Sequence, residues 1–428
     1  MRATRVVGPE HALLLLSVLG ILLAPTAASG QTYRTFRAEQ ERIIARTRWK
    51  LGPLRVQPVL QLTNVGYDNN IYAQRRDTGP VSDVTASGGI EVSAYLLLRP
   101  WLIFSLVENP EYTFYFEQKT ERSLNNLFAG NVRALLFNRF ALTGSFETRK
   151  ARRRATSEFD VRASELRTSA GGQLFYETER QTALGFAASV VRYRYEDVSV
   201  PGADLALAHT LNRTETSGSF QGYYLVFAGS QIFLNAGITD YDFEFPDSFW
   251  RNSRSHQALV GLRFPDIGAV RGSIALGYKK MTPSDASKTP FSGLIGNATV
   301  FVRFGRFAPR AAFIRDCVFS FDVANVYFVE SRWSAGLSYY LNTFIRLDYD
   351  YTTGRNRYPD PVPVSVPGEG TVPMLRRDNY QTHSFGFVVR IVRSTGVGLQ
   401  ANYWQRDSTI YPSDRSRWFF GGYLTFEF

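Results

Sequence analysis

The clearest order in this chain is a period of two. Between Asp83 and Leu98 the even positions read Val84, Ala86, Gly88, Ile90, Val92, Ala94, Leu96 and Leu98, and the odd ones begin Asp83, Thr85, Ser87, Gly89, Glu91, Ser93 and Tyr95. Successive side chains of a strand point to opposite faces, so this segment predicts a strand with one apolar and one polar side. Arg99-Pro100 ends it. The pattern returns across 166–176, and again where Arg346, Asp348 and Asp350 alternate with Ile345, Leu347, Tyr349 and Tyr351. Charges interleaved this tightly with Ile, Leu and Tyr fit a strand that divides water from a greasy surface.

Extended along the chain, the reading gives about 18 strands, an even count of the kind single-chain bacterial barrels have. They run over 54–67, 82–98, 101–117, 125–137, 139–149, 165–178, 181–197, 211–227, 231–245, 254–264, 269–281, 291–304, 308–321, 326–341, 343–353, 379–392, 396–407 and 416–428. Connections alternate in length, short near Arg99, Asn138, Glu179, Gly229, Asp266, Gly305, Asn342 and Arg393, long between them. A soluble sandwich or propeller has no reason to alternate loop lengths. The predicted fold class is all-β: a single transmembrane antiparallel up-and-down β-barrel with short periplasmic turns and long extracellular loops. The 34 Gly, 33 Phe and 23 Tyr suit such a wall.

The first residues add a compartment. Arg2 and Arg5 precede an apolar stretch from Ala12 to Ala24, then Pro25 and small residues ending Ala28-Ser29-Gly30. This reads as a secretory signal peptide over residues 1–30, its core of about 13 residues being too short for a bilayer helix. With Cys317 as the single cysteine, neither a disulfide framework nor a multi-thiolate metal site is available. The net charge of +11 would suggest nucleic acid in a cytosolic protein. Export excludes that partner and points to lipopolysaccharide phosphates, anionic sugars or anionic solutes. The last strand carries Trp418, Phe420, Gly422, Leu424, Phe426 and the terminal Phe428 on one face. It resembles the C-terminal signal by which outer-membrane proteins are recognised by the barrel-insertion machinery.

Residues 31–53 do not alternate and are rich in Arg. The expectation is a solvated basic tail in the periplasm, with a contact for a periplasmic partner or a strip tucked into the lumen as alternatives. The run Arg149, Lys150, Arg152, Arg153 and Arg154 is expected in an outer loop, where it would bind lipopolysaccharide phosphates or draw in an anionic polymer. The loop 352–377 holds Pro359, Pro361, Pro363, Pro367 and Pro373, which should keep it extended, unpaired and on the surface.

Catalysis finds little support. His11 leaves with the leader, His209 falls in a loop, and His256 and His383 share faces with Ala258, Val260, Phe385 and Phe387, so no histidine is aimed at the lumen beside a nucleophile. No zinc spacing or phosphate-binding Gly loop appears, and no cofactor is called for. The lumen register instead collects Arg133, Arg167, Arg213, Arg263, Arg271, Lys279, Arg303, Arg332, Arg346, Arg390 and Arg417, against Glu91, Glu165, Glu177, Glu215, Glu330, Asp348, Asp350 and Glu427. Such a wall either favours anionic cargo or pairs its charges across strands and is merely hydrophilic; the sequence leaves both open.

After the first strand comes Val65-Gly66-Tyr67-Asp68-Asn69-Asn70-Ile71-Tyr72, a turn cluster at a strand end, with a calcium site as a lesser option. Together with Gly336-Leu337-Ser338-Tyr339-Tyr340-Leu341 and Arg346-Leu347-Asp348-Tyr349 it resembles the Putative β-barrel porin family 2. The resemblance implies an outer-membrane barrel associated with exopolysaccharide secretion. The expected function is therefore a passive conduit exporting an anionic exopolysaccharide, with polysaccharide and a periplasmic export protein as partners. A general diffusion porin with weak anion preference and a structural or adhesive barrel with a closed lumen are the alternatives.

Overall fold

The computed structural model describes residues 34–428 except 76–78, 155–156, 159–161, 179–181, 201–202, 228, 266–267, 323, 367–369, 393 and 411–414. The leader expected over residues 1–30 lies outside the described residues. Among those described, no helix is long and apolar enough to cross a membrane.

One 19-stranded sheet dominates, of which 18 strands close a barrel. They are β1 (Leu54–Asp68), β2 (Asp83–Arg99), β3 (Leu102–Tyr115), β4 (Ser123–Leu136), β5 (Phe140–Arg154), β6 (Arg162–Glu177), β7 (Ala183–Tyr195), β8 (Arg213–Leu225) and β9 (Gln231–Phe243). The circuit continues with β10 (Ser253–Arg263), β11 (Val270–Pro283), β12 (Phe291–Val302), β13 (Phe307–Phe319), β14 (Tyr327–Tyr340), β15 (Ile345–Arg357), β16 (Arg377–Val392), β17 (Thr395–Ser408) and β18 (Arg415–Glu427). Each pairs antiparallel with its neighbours in the chain. β18 returns to β1, from Val59↔Glu427 to Asp68↔Phe419, and removes both edges. Closure satisfies the backbone inside a medium that offers no water. The remaining strand, Trp49–Leu51, folds back on the start of β1 with Trp49 opposite Val56.

Side-chain exposure divides by parity as the alternation requires. Leu142, Phe146, Leu184, Phe186, Leu234, Val260 and Leu276 point outward and are exposed, while Ala141, Ala183, Phe233, Leu259 and Ala275 are buried on the inner side. In a membrane the outward set meets lipid. β1 changes face once. Asn64 has φ 51°, and the register shifts there against both neighbours, so the outward residues pass from Leu60 and Leu62 to Val65 and Tyr67. At one end of the barrel lie the short turns 100–101, 137–139, 303–306 and 341–344, with exposed Trp101, Phe137, Phe140, Phe304, Phe307 and Phe344 around them. At the other end lie the connections 69–82, 196–212, 244–252, 320–326 and 358–376. These are called the turn end and the loop end below.

Three expectations change. Residues 35–47 form a helix, not a tail: α1 (Phe36–Arg46), N-capped by Thr35, whose hydroxyl accepts from the Ala38 N–H. The basic run from Arg149 to Arg154 is not a loop but the continuation of β5, paired with β6 from Arg149↔Arg167 to Arg154↔Arg162. A strand that outruns the membrane needs no apolar face, so charge marks the water line there and not the strand's end. The Pro-rich connection is not unpaired either: Val362–Val366 and Gly370–Met374 form a separate hairpin. Pro363 stands opposite Pro373, a place in an antiparallel pair that requires no N–H from either.

Candidate functional site

The cavity of the barrel gathers most of the chemistry. Every basic residue expected on its wall lies on the inward register, and most face a carboxylate. Arg167 donates to Glu147 at 2.7 Å on the neighbouring strand, Arg213 to Glu215 at 2.8 Å, and the buried Lys279 to Asp316 at 3.0 Å. Arg346 pairs with Asp348 at 2.8 Å, Arg332 stands 3.8 Å from Glu330, and Arg417 grips Asp68. Arg310, which the sequence did not single out, joins the same ladder by donating to Asp350 and, at 2.7 Å, to Ser338. Its strand reads Arg-Ala-Ala-Phe-Ile, where small residues on both faces hide the alternation.

The wall is charged unevenly along its axis. Arg263, Arg271, Arg346 and Arg390 sit within the last or first residues of strands at the turn end, and Arg303 directly follows β12, all on the wall formed by β10 to β16. Arg263 lies over the rings of Tyr223 and Phe233 at 5.7 and 5.2 Å, and Arg303 over Tyr340 at 4.8 Å. Asp68, Asp83, Glu165, Asp316, Glu330 and Asp378 lie toward the loop end. The turn end thus carries an arginine crescent, in which Arg346 is paired with Asp348 and near which Glu177 and Glu427 end their strands, and the loop end carries paired charges.

α1 covers the wall facing that crescent. Phe36 and Ile43 are fully buried, packed with Ile103, Leu135, Ala141, Phe175 and Ala183 from strands β3 to β7. These are inward positions at the turn end of each strand, and they are apolar because a helix, not water, meets them. The Phe36 N–H donates to both oxygens of Glu177, and Arg133 donates to the Arg34 carbonyl at 3.0 Å while lying over the Phe36 ring. The basic N-terminal segment therefore occupies part of the lumen.

Contacts reach across the loop end. β12 and β13 stay paired only from Phe301↔Arg310 to Gly296↔Arg315, whereas β13 and β14 continue to Phe319↔Tyr327. Freed from the wall, this hairpin end leans across the cavity. Phe319 packs edge-on against Tyr241 and Phe243, with centroids 4.9 and 5.2 Å apart, and Arg213 lies over it at 4.9 Å. The following loop is clasped by Arg251, fully buried, which donates to the carbonyls of Ser320, Asp322 and Asn325. Arg376 joins Asp378 at 2.8 Å, Asp322 at 3.3 Å and Glu158 at 3.0 Å. Burial raises the Glu158 carboxyl above its usual range against the pull of Arg376, and lowers Arg251 to about 10.

Other singled-out residues find structural places. Arg152 forms a two-pronged pair with Glu121, and Arg153 pairs with Glu165 at 2.7 Å, while Lys150 is exposed on the outer side and Arg149 turns inward. Arg154 lies over the Trp404 ring at 5.1 Å. Asp68, Asn69 and Asn70 staple the seam between β1 and β18: Asp68 to Arg417, Asn69 to the Trp418 N–H at 2.7 Å, Asn70 to the Ser416 carbonyl at 3.0 Å. His256 and His383 are on the outward register, and Tyr349 Oη lies 3.0 Å from His383 Nδ1. His209 sits 3.1 Å from Asp247 in the 196–212 connection. On β18, Trp418 stacks on Phe420 at 5.5 Å and Phe426 meets Phe428 at 4.6 Å, with Trp418, Phe420 and Phe428 exposed and Leu424 on the same face.

The sequence model of the family described as Putative beta-barrel porin 2 matches residues 49–303. No curated protein matches the chain in sequence. Solved structures of similar fold include the outer membrane protein opdK from Pseudomonas aeruginosa, at 10% identity and a TM-score of 0.48, covering 87% of this chain and 98% of that one. OccK2 (OpdF) of the same organism aligns at 11% identity and a TM-score of 0.48, over 87% and 97%. The siderophore receptor PirA from Acinetobacter baumannii gives 8% and 0.41, over 87% and 80%.

Proposed function

The chain belongs to the Putative beta-barrel porin 2 family, an outer-membrane β-barrel of porin-like build, and from that premise we propose a passive conduit that lets an anionic exopolysaccharide leave the cell. The observation that carries this reading is the arginine crescent at the turn end. In outer-membrane barrels the short turns face the periplasm, so Arg263, Arg271, Arg303, Arg346 and Arg390 would be the first wall charges met by a polymer made inside. Rings of Arg favour anions. Beyond them the paired charges keep the wall hydrophilic without presenting a strong trap, as transit requires.

In this orientation α1 lies at the periplasmic mouth, within reach of a periplasmic export protein. The aromatic face of β18 would be read by the insertion machinery, and Lys150, exposed on the outer side toward the loop end, would meet lipopolysaccharide. Chemistry at a lumen histidine is not part of the proposal, since His256 and His383 face outward.

The near-neutral ladder also favours a second reading, a general diffusion porin with weak anion preference. Deleting the gene separates them. Loss of surface polysaccharide supports export, whereas unchanged polysaccharide with slower uptake of small anions supports the porin and overturns the export direction.

A further inference from the structure

We propose that the loop-end mouth is a gate, and that Glu158 is its clasp. The connections that follow β5 and β13 stand on opposite sides of the barrel, with β6 to β13 between them one way round and β14 to β5 the other. A contact between them has to cross the opening. Glu158 makes that contact. Its carboxylate accepts from Ser320 Oγ at 2.7 Å, from the Phe321 N–H at 2.9 Å and from Arg376 at 3.0 Å, and its carbonyl accepts from Arg406 on β17. Beside it Ser157 exchanges a hydrogen bond with Asn356 at the end of β15, 3.2 Å away. A glutamate in a connecting loop is thus only 1% exposed, held by groups from three separate elements, the 320–326 connection, the 358–376 connection and β17.

The way this crossing is built distinguishes a clasp from a permanent plug. The hairpin end beneath it is anchored by rings, through Phe319, Tyr241 and Phe243, and α1 at the other mouth by Phe36 and Ile43. The bonds described for Glu158 are polar, and water can replace each of them. On its departure Arg376 keeps Asp378 and Asp322, and the loop keeps its three bonds from Arg251. The mouth can therefore part along one seam while the rest of the cap stays folded. Two discrete arrangements of a packed element are what a gate requires.

The proposal needs only that the barrel conducts, whatever solute it carries, so it stands or falls apart from the export reading. The full chain is placed in planar bilayers as wild type, as Glu158→Ala, and as Ser157→Cys with Asn356→Cys in a Cys317→Ala background. Glu158→Ala is expected to raise the open fraction several-fold. Oxidising the cysteine pair is expected to hold the low-conductance state until a reductant is added. If Glu158→Ala yields no folded barrel, the cysteine pair decides alone. Equal conductance in the oxidised and reduced pair, or a folded Glu158→Ala barrel that behaves as wild type, overturns the gate.

Discussion

The backbone N–H of Phe36 donates to both carboxylate oxygens of Glu177, at 3.0 and 3.1 Å, tying the first turn of α1 to the last residue of β6. A carboxylate at a helix N-terminus satisfies an amide that has no partner within the helix and meets the positive end of its dipole. Phe36 and Ile43 then bury their side chains below it. Removing residues 34–47 is expected to leave a folded barrel, closed by β1 and β18, with a larger single-channel conductance. Glu177→Ala should weaken helix docking by about 1–3 kcal/mol, the usual cost of orphaning a buried polar group, and open the channel intermittently. A deletion variant that conducts like the full chain would contradict a helix that occupies part of the lumen.

The gate should respond to pH through Glu158. Around its carboxyl stand Arg376, Arg251, Arg406, Asp322, Asp378 and Tyr358. Burial raises its pKa in the closed mouth, and release into water restores the ordinary value. The closed form therefore holds the proton more tightly. Acid favours closure, and that advantage is lost as pH rises through the raised value. Arg251, lowered to about 10, keeps its charge throughout, and Tyr358 is pushed further up. Open probability in bilayers should climb as pH rises above the ordinary carboxyl value of about 4.3, and Glu158→Gln should flatten the curve. A slope of opposite sign would refute this assignment.

The buried Lys279 and the half-buried Asp316 form a pair 3.0 Å apart on the inner wall. Lys279→Ala strands the carboxylate and should cost about 3–5 kcal/mol, as broken buried pairs do. Lys279→Met combined with Asp316→Leu should recover most of it. Denaturant unfolding in detergent measures both, and a double variant no better than the single one would show that the pair does not act as a unit.

Closure of the barrel passes through Gly66. A Cβ there would collide with the Phe420 carbonyl and the Gly421 Cα across the β1–β18 seam, while one at Gly144 would meet nothing within 4 Å. Gly66→Ala should lower the yield of barrel that runs compact in unboiled gels, and Gly144→Ala should not. Equal yields would mean that the seam tolerates a spread the register does not suggest.

Much of the fold was legible because a membrane barrel writes its two solvents into alternate residues. Asp83 to Leu98 could be assigned to faces from sequence alone, and the resulting strands agree with the structure to within a few residues at most ends. The signal fails where one solvent surrounds the strand. β5 runs on to Arg154, paired with β6 throughout, and because basic residues there occupy both faces, charge no longer separates strand from loop. α1 was hidden for another reason. Its buried face holds little beyond Phe36 and Ile43 among many Arg and Glu, and its apolar partners, such as Leu135 and Phe175, are inward residues that look like ordinary wall. Glu158 and Arg376 were invisible in principle. They lie 218 positions apart in connections without periodicity, and only closure of the barrel brings them together.

The most direct test of the central claim, that the barrel offers anions a path beginning at the arginine crescent, is the reversal potential of the purified full chain in a salt gradient across a planar bilayer. The predicted result is a potential of the sign given by anion preference, moved toward zero when Arg263, Arg271 and Arg303 are replaced by alanine. A cation-selective potential, or one that these three replacements leave unchanged, would contradict it.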